Sequence, residues 1–188
     1  MRALPNIIIT GTPGTGKSTH SERLAALLPD LTYLSVNAFI VENALQDGYD
    51  EDRQSAMVDE DKLVDQLEPV LDKGGQIVDW HVCDIFPEDL IDLVVVLRTN
   101  TTRLYDRLKD RGYADKKFDD NVDAEIMDVI LNDAKDAYAP EIVIELESNT
   151  AEDVDSNCER IEQWVRQWIT DNAKDDDDEE DGEDDEER

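Results

Sequence analysis

Basic residues are scarce in this chain: 18 Lys and Arg stand against 49 Asp and Glu, a formal net charge of −31 over 188 residues. Direct, extended binding to nucleic acid needs basic stripes along the phosphates, and this composition argues against it. Long apolar runs are absent as well. No stretch approaches the roughly 20 residues that span a bilayer, so no membrane partner is expected. The first apolar run follows Met1 too closely to leave room for a signal peptide. Cysteine is limited to Cys83 and Cys158, which form no metal-spaced cluster. They are expected to be reduced packing thiols in an intracellular protein. What remains is the size of one domain with appendages, large enough for a sizeable core.

The charge is unevenly placed. Residues Asp175–Glu187 hold twelve acidic residues and one glycine; with Arg188 this tail contributes −11 and leaves −20 on residues 1–174. Such a block buries too little apolar surface to fold, so residues 173–188 are expected to be a disordered acidic tail. It serves either as a solubility tail or as a polyanion for a basic partner. Seven of the basic residues crowd between Arg98 and Lys117: Arg98, Arg103, Arg107, Lys109, Arg111, Lys116 and Lys117. A local cationic patch on an acidic molecule suits phosphate recognition.

Apolar runs alternate with helical patterns, the signature of a parallel sheet with helices on both faces. Five strands are expected at Asn6–Thr10, Thr32–Ser35, Gln76–Asp79, Leu93–Leu97 and Ile142–Ile144. The polar stretch Asn37–Gly75 is too long for a simple crossover. Its helical spacing of Val58, Leu63, Val64, Leu67, Val70 and Leu71 predicts an inserted helical subdomain. A helix with Leu104 and Leu108 on one face should stop at Gly112. The next is predicted from about Asp120 to Tyr138, with Ile126, Val129, Ile130 and Ala134 inward and Pro140 closing it. The last opens on the capping pattern Thr150-Ala151-Glu152-Asp153. Its packing face is Val154, Ile161, Val165, Trp168 and Ile169, with Trp164 adjoining.

The chemistry is concentrated in Gly11-Thr12-Pro13-Gly14-Thr15-Gly16-Lys17-Ser18, between the apolar run Ile7-Ile8-Ile9 and a helical segment. This is G-x-x-x-x-G-K-[ST] in its strand-to-helix setting. Its glycines let successive amides face a phosphate, Lys17 reaches the terminal phosphates and the Ser18 hydroxyl can ligate magnesium. The helix that follows adds its positive end to the anion site. The second metal ligand should be a strand-end carboxylate beside this loop, which Asp79 supplies directly or through a water. His81, two residues on, could orient a water or relay a proton near the γ-phosphate; His20 is expected to be structural. The charged segment 111–121 could close over a triphosphate and exclude water, with Arg111 stabilising charge. The catalytic set is therefore Lys17, Asp79, His81 and Arg111. The nucleotide contacts are Gly14, Thr15, Gly16, Lys17, Ser18, Thr19 and Arg111, and the metal ligands are Ser18 and Asp79.

Together with Gly48-Tyr49-Asp50-Glu51, Val58-Asp59-Glu60-Asp61, Asp79-Trp80-His81, Asp84-Ile85-Phe86-Pro87-Glu88, Leu97-Arg98 and Arg111-Gly112-Tyr113, this loop resembles the adenylate kinase isoenzyme 6 family, also called coilin-interacting nuclear ATPases, and its fungal ribosome-assembly members. The resemblance spans about residues 5–170. It implies a P-loop nucleoside monophosphate kinase fold over residues 1–172. Residues 35–58 would form the acceptor-binding region and residues 110–120 the lid. It implies a kinase converting ATP and AMP to two ADP with Mg2+, and an ATPase activity linked to the Asp79 and His81 positions. It further implies a role in small-ribosomal-subunit maturation (processing of the small-subunit rRNA precursor), through a basic ribosomal protein of the platform on the pre-ribosomal small subunit, in nucleus and cytoplasm. Some relatives carry a basic residue where this chain has Val41, so Phe39-Ile40-Val41 offers an AMP phosphate no local cation; Arg53 could substitute. Two alternatives stay open: an ATP-switched assembly chaperone with negligible kinase activity, and a small-metabolite kinase of shikimate or gluconate type.

Overall fold

The structure is a computed structural model that describes residues 2–51, 55–113 and 115–180. Its centre is a five-stranded parallel sheet built from β1 (Ile7–Thr10), β2 (Thr32–Ser35), β5 (Gln76–Asp79), β6 (Leu93–Arg98) and β7 (Val143–Glu147). The spatial order is β2-β5-β1-β6-β7, with all neighbours parallel. The chain moves from β1 to one side of the sheet and then crosses to the other. The crevice at the carboxyl end of β1 is thus a topological switch point, where open α/β sheets bind ligands.

β1 shows why the sheet is covered twice. Ile8 faces a core shared with helices α2 (Val36–Glu42), α3 (Glu60–Leu71) and α6 (Val129–Ala137). Ile7 and Ile9 face the opposite core, with Leu24 of α1 (Lys17–Leu27) and Cys158, Ile161 and Val165 of α7 (Ala151–Glu180). An unbroken apolar strand is what two covered faces require. Below the sheet, the buried Asn6 side chain donates to the carbonyls of Leu71 (2.6 Å) and Leu90 (2.8 Å) and accepts from the Gln76 amide (3.0 Å). It fixes three chain ends at the amino edge.

Three expectations need correction. The insertion is only partly helical: after α2 comes an antiparallel hairpin of β3 (Gln46–Asp50) and β4 (Ser55–Val58). The single helix expected over Asp120–Tyr138 is two, α5 (Asp115–Ile126) and α6, separated by Asp128 at φ +55°. The break has a cause. Arg98 Nη2 takes the Glu125 carbonyl (2.9 Å) and pairs with the Asp128 carboxylate, pulling the ladder open. As a result Ile126 and Val129 are exposed rather than inward, while Ala134 is buried and Ile130 packs at the core's edge. The third correction concerns α7, which carries helix past residue 173, where the acidic tail was expected to begin disordered. Once nucleated on a packed face, a helix extends at one hydrogen bond per residue. Residues 181–188 of that tail lie outside the described residues, and no described helix is long and apolar enough to cross a membrane.

Candidate active site

A cleft of about 980 Å³ opens over the carboxyl ends of the strands. The phosphate loop forms its floor. Gly11 (φ +142°) lies so close to β6 that a Cβ there would sit 2.6 Å from the Leu97 carbonyl oxygen, so the loop can leave the sheet only through glycine. Gly16, at φ +97°, caps α1 and directs its first turn into the cleft. The Thr15 amide and hydroxyl both donate to the Thr12 carbonyl, at 3.2 and 2.9 Å, closing the turn.

Lys17 is half-buried and donates from Nζ to the carbonyls of Gly11 (2.9 Å) and Thr12 (3.3 Å). Burial pulls its pKa down to about 8; Asp79 and Glu125 oppose that shift, and Arg111 adds to it. A polyphosphate beside it would favour the charged form again. Asp79, buried at the end of β5, accepts from Ser18 Oγ (2.7 Å) and Tyr33 Oη (2.8 Å) on the same oxygen, Oδ2. The predicted metal ligands Ser18 and Asp79 are thus side by side. Their donors are hard oxygens, and a pair of protein oxygens completed by phosphate and water suits Mg2+.

His81 faces the cleft, with Trp80 edge-on at 5.6 Å. Its ring is exposed to the cleft, yet partial desolvation there, with the nearby cations Lys17 and Lys117, lowers its pKa to about 4. Such an imidazole is neutral at physiological pH: it offers hydrogen bonds and holds a proton poorly. The loop that carries it is stitched down by buried Tyr138, whose single hydroxyl proton is shared between the Cys83 carbonyl, the nearer acceptor, and that of Phe86.

The segment expected to form a lid differs from a simple loop. Helix α4 (Thr101–Asp110) is followed by a short turn and then α5, so much of 110–120 is helical; Ala114 lies outside the described residues. Arg111 and Lys117 line the cleft, both against Tyr113: Arg111 Nη1 is 3.4 Å from its hydroxyl and Lys117 Nζ is 4.7 Å from its ring centre. Two other members of the basic cluster are engaged within the protein. Arg98 is held by Glu125, Asp128 and Glu145. Arg107 donates to the carbonyls of Gly14 (3.1 Å), Ser148 (3.0 Å) and Asn149 (3.0 Å), bracing the phosphate loop against the β7–α7 turn.

Of the predicted residues, Gly14, Gly16, Lys17, Ser18, Thr19, Asp79, His81 and Arg111 all line the cleft, while Thr15 is buried beneath it. His20 is buried, as a structural residue would be, between the Gly16 carbonyl and Asn157. Both cysteines are buried free thiols, with pKa values pushed up by burial to about 12 for Cys83 and about 11 for Cys158. The lining from the segment expected to bind the acceptor, and from the start of α3, includes Asn37, Ile40, Val41, Met57, Val58 and Glu60, with no cation among these described residues; Arg53 lies outside the described residues. Sequence reasoning missed Tyr33, Tyr138 and Glu125. Only strand register places Tyr33 near Asp79, and no local pattern marks the other two.

A family model described as an AAA domain matches residues 7–128. The chain is 54% identical to an adenylate kinase isoenzyme 6 homolog of Saccharomyces cerevisiae, over 88% of this chain and 84% of that one. It is 53% identical to one of Candida albicans, over 87% and 70%, and 50% identical to one of Schizosaccharomyces pombe, over 89% and 95%. Among solved structures, a shikimate kinase from Bacteroides thetaiotaomicron superposes with a TM-score of 0.58 at 15% identity. It covers 87% of this chain and 99% of its own, a likeness of fold alone.

Proposed function

The chain belongs to the adenylate kinase isoenzyme 6 family, making it a P-loop nucleotide kinase and ATPase enzyme, and from that premise we propose that it hydrolyses ATP and transfers phosphate from ATP to AMP. The observation that carries this reading is the Ser18–Asp79 pair, 2.7 Å apart beside Lys17 at the phosphate loop. Ser18 and Asp79 would hold Mg2+, which when bound supplies charge neutralisation across the phosphates.

The chain's own groups divide the remaining work. Loop amides and the α1 terminus bind the phosphates, and Lys17 exchanges the Gly11 and Thr12 carbonyls for phosphate oxygens. Arg111 and Lys117 approach from the lid side and meet charge developing on the transferring group. Neutral His81 orients an attacking water by hydrogen bonding. Its pKa of about 4 belongs to the nucleotide-free cleft; a bound polyphosphate would raise it, as at Lys17, so proton relay stays open beside orientation. Hydrolysis needs only these groups. Transfer to AMP also needs a cation for the acceptor phosphate, which the described acceptor lining does not include.

ATP turnover measured with and without AMP tests the reading. ADP formed beyond hydrolysis in the presence of AMP supports the kinase half; AMP-independent phosphate release supports hydrolysis alone.

We further propose a role in small-subunit maturation through a basic ribosomal protein, in nucleus and cytoplasm, with ATP switching the grip. The support is electrostatic: −20 remains on residues 1–174 after the acidic tail is set aside. A complex weakened by salt and altered by ATP is expected in pull-down, and insensitivity to both would count against it. The small-metabolite alternative draws only on likeness of fold.

A further inference from the structure

Glu125 is a carboxylate only 5% exposed near the carboxyl end of α5, far from any role in the reaction described so far. Each of its acceptors is used. Oε2 accepts the Thr12 hydroxyl of the phosphate loop at 2.6 Å. Oε1 accepts Arg98 Nε at 3.0 Å and the Thr99 amide at 2.9 Å, both at the end of β6. Its backbone carbonyl takes Arg98 Nη2. One side chain thereby joins the loop, the sheet and the helix whose first turns belong to the lid.

The two ends of that joint both reach the cleft. At one end Thr12, 1% exposed, offers its carbonyl to Lys17 Nζ and to Thr15, so the orientation of this residue sets where Lys17 rests. At the other end Lys117, Asp120 and Asn121, one to two turns earlier on α5, line the cleft. The Glu125 charge also opposes the effect of burial at Lys17. A buried charged hydrogen bond is short, directional and strong enough to transmit a shift of α5 to the loop.

The geometry points to Glu125 as a positioning residue that couples the lid helix to the phosphate loop through the Thr12 hydroxyl, so that lid closure and release of Lys17 toward phosphate occur together. This inference rests on the reading of the cleft as an ATP site.

Four variants test it: Thr12→Val, which deletes the hydroxyl at equal size; Thr12→Ser, which keeps it; Glu125→Gln, which makes the bond neutral; and the double variant Thr12→Val/Glu125→Gln. Mg-ATP affinity is measured by calorimetry, and phosphate release gives kcat and KM. Thr12→Val is expected to lower kcat about tenfold while the ATP Kd stays within about threefold. Glu125→Gln should fall between it and the parent, Thr12→Ser should recover activity to within about twofold, and the double variant should be no worse than Thr12→Val alone. Parental kcat in Thr12→Val with only a lowered Tm would overturn the proposal, as would a Thr12→Ser variant as impaired as Thr12→Val. If Glu125→Gln does not fold, the Thr12 pair decides the matter. Failure of the parent protein to bind Mg-ATP would instead remove the nucleotide reading, and it is seen before any variant is compared.

Discussion

His20 should give this protein a measurable loss of stability on mild acidification. Its Nδ1–H donates to the Gly16 carbonyl at 2.9 Å, and its Nε2 accepts from Asn157 Nδ2 at 3.2 Å. The Asn157 amide is committed to that orientation because it also donates to the Glu147 carbonyl at 2.8 Å. Protonation would set an N–H on Nε2 against the amide N–H. Burial accordingly lowers the His20 pKa below its usual value. The unfolded chain then binds a proton more readily than the folded one. Stability is fully present above pH about 6.5 and declines as pH falls from there toward the folded pKa. One proton bounds the slope at about 1.4 kcal/mol per pH unit. At about 2–4 °C per kcal/mol for a domain of this size, Tm should fall by up to about 3–6 °C per pH unit. The assay is thermal unfolding at pH 7.5, 6.5 and 5.5 for the parent and His20→Gln, whose amide keeps one donor and one acceptor and does not titrate. His81 titrates in both proteins and cancels in the comparison. Parallel Tm profiles would refute the reasoning.

Lys17→Ala and Asp79→Asn should each lower ATP turnover by about 10²-fold or more, read as phosphate release at saturating Mg2+. Tyr33→Phe removes one of the two donors to Asp79 and should raise the Mg2+ concentration for half-maximal activity about tenfold, with a stability loss of about 1 kcal/mol. In Gly14→Ala the new methyl would sit 2.9 Å from Leu104 Cδ1 at φ +99°, which should cost about 2–4 kcal/mol and lower Tm by about 5–15 °C. Tyr138→Phe leaves the Cys83 and Phe86 carbonyls without their donor; a stability loss of about 1–3 kcal/mol in urea unfolding is expected.

The central sheet was legible because β1 and β6 are apolar runs and the phosphate loop has fixed spacing. The β3–β4 hairpin was not. Gln46-Asp47-Gly48-Tyr49-Asp50 has no alternation, since nearly all of it faces solvent and its pairing lies outside the main core. The helix break at Asp128 was hidden for a different reason: its cause, Arg98, sits 30 residues earlier in sequence. The same distance problem misled the view of the basic cluster. Arg103, Arg107 and Arg111 share helical spacing, yet Arg107 turns to backbone carbonyls on two loops while Arg111 faces the cleft. Lys17, Ser18 and Asp79 could be paired from sequence because loop and strand end have a known relation in this fold. Tyr33 needed the register that sets Ser35 beside Asp79.

The bracing of Gly16 by His20 and Asn157, and of Gly14 by Arg107 and the Ser148–Asn149 turn, bears on how the molecule is made. The anion cradle is translated before its supports, since Arg107 follows Gly14 by 93 residues and Asn157 follows His20 by 137. A nascent chain still lacking α7 is missing the Asn157 support and is expected to hold nucleotide less well than the folded protein.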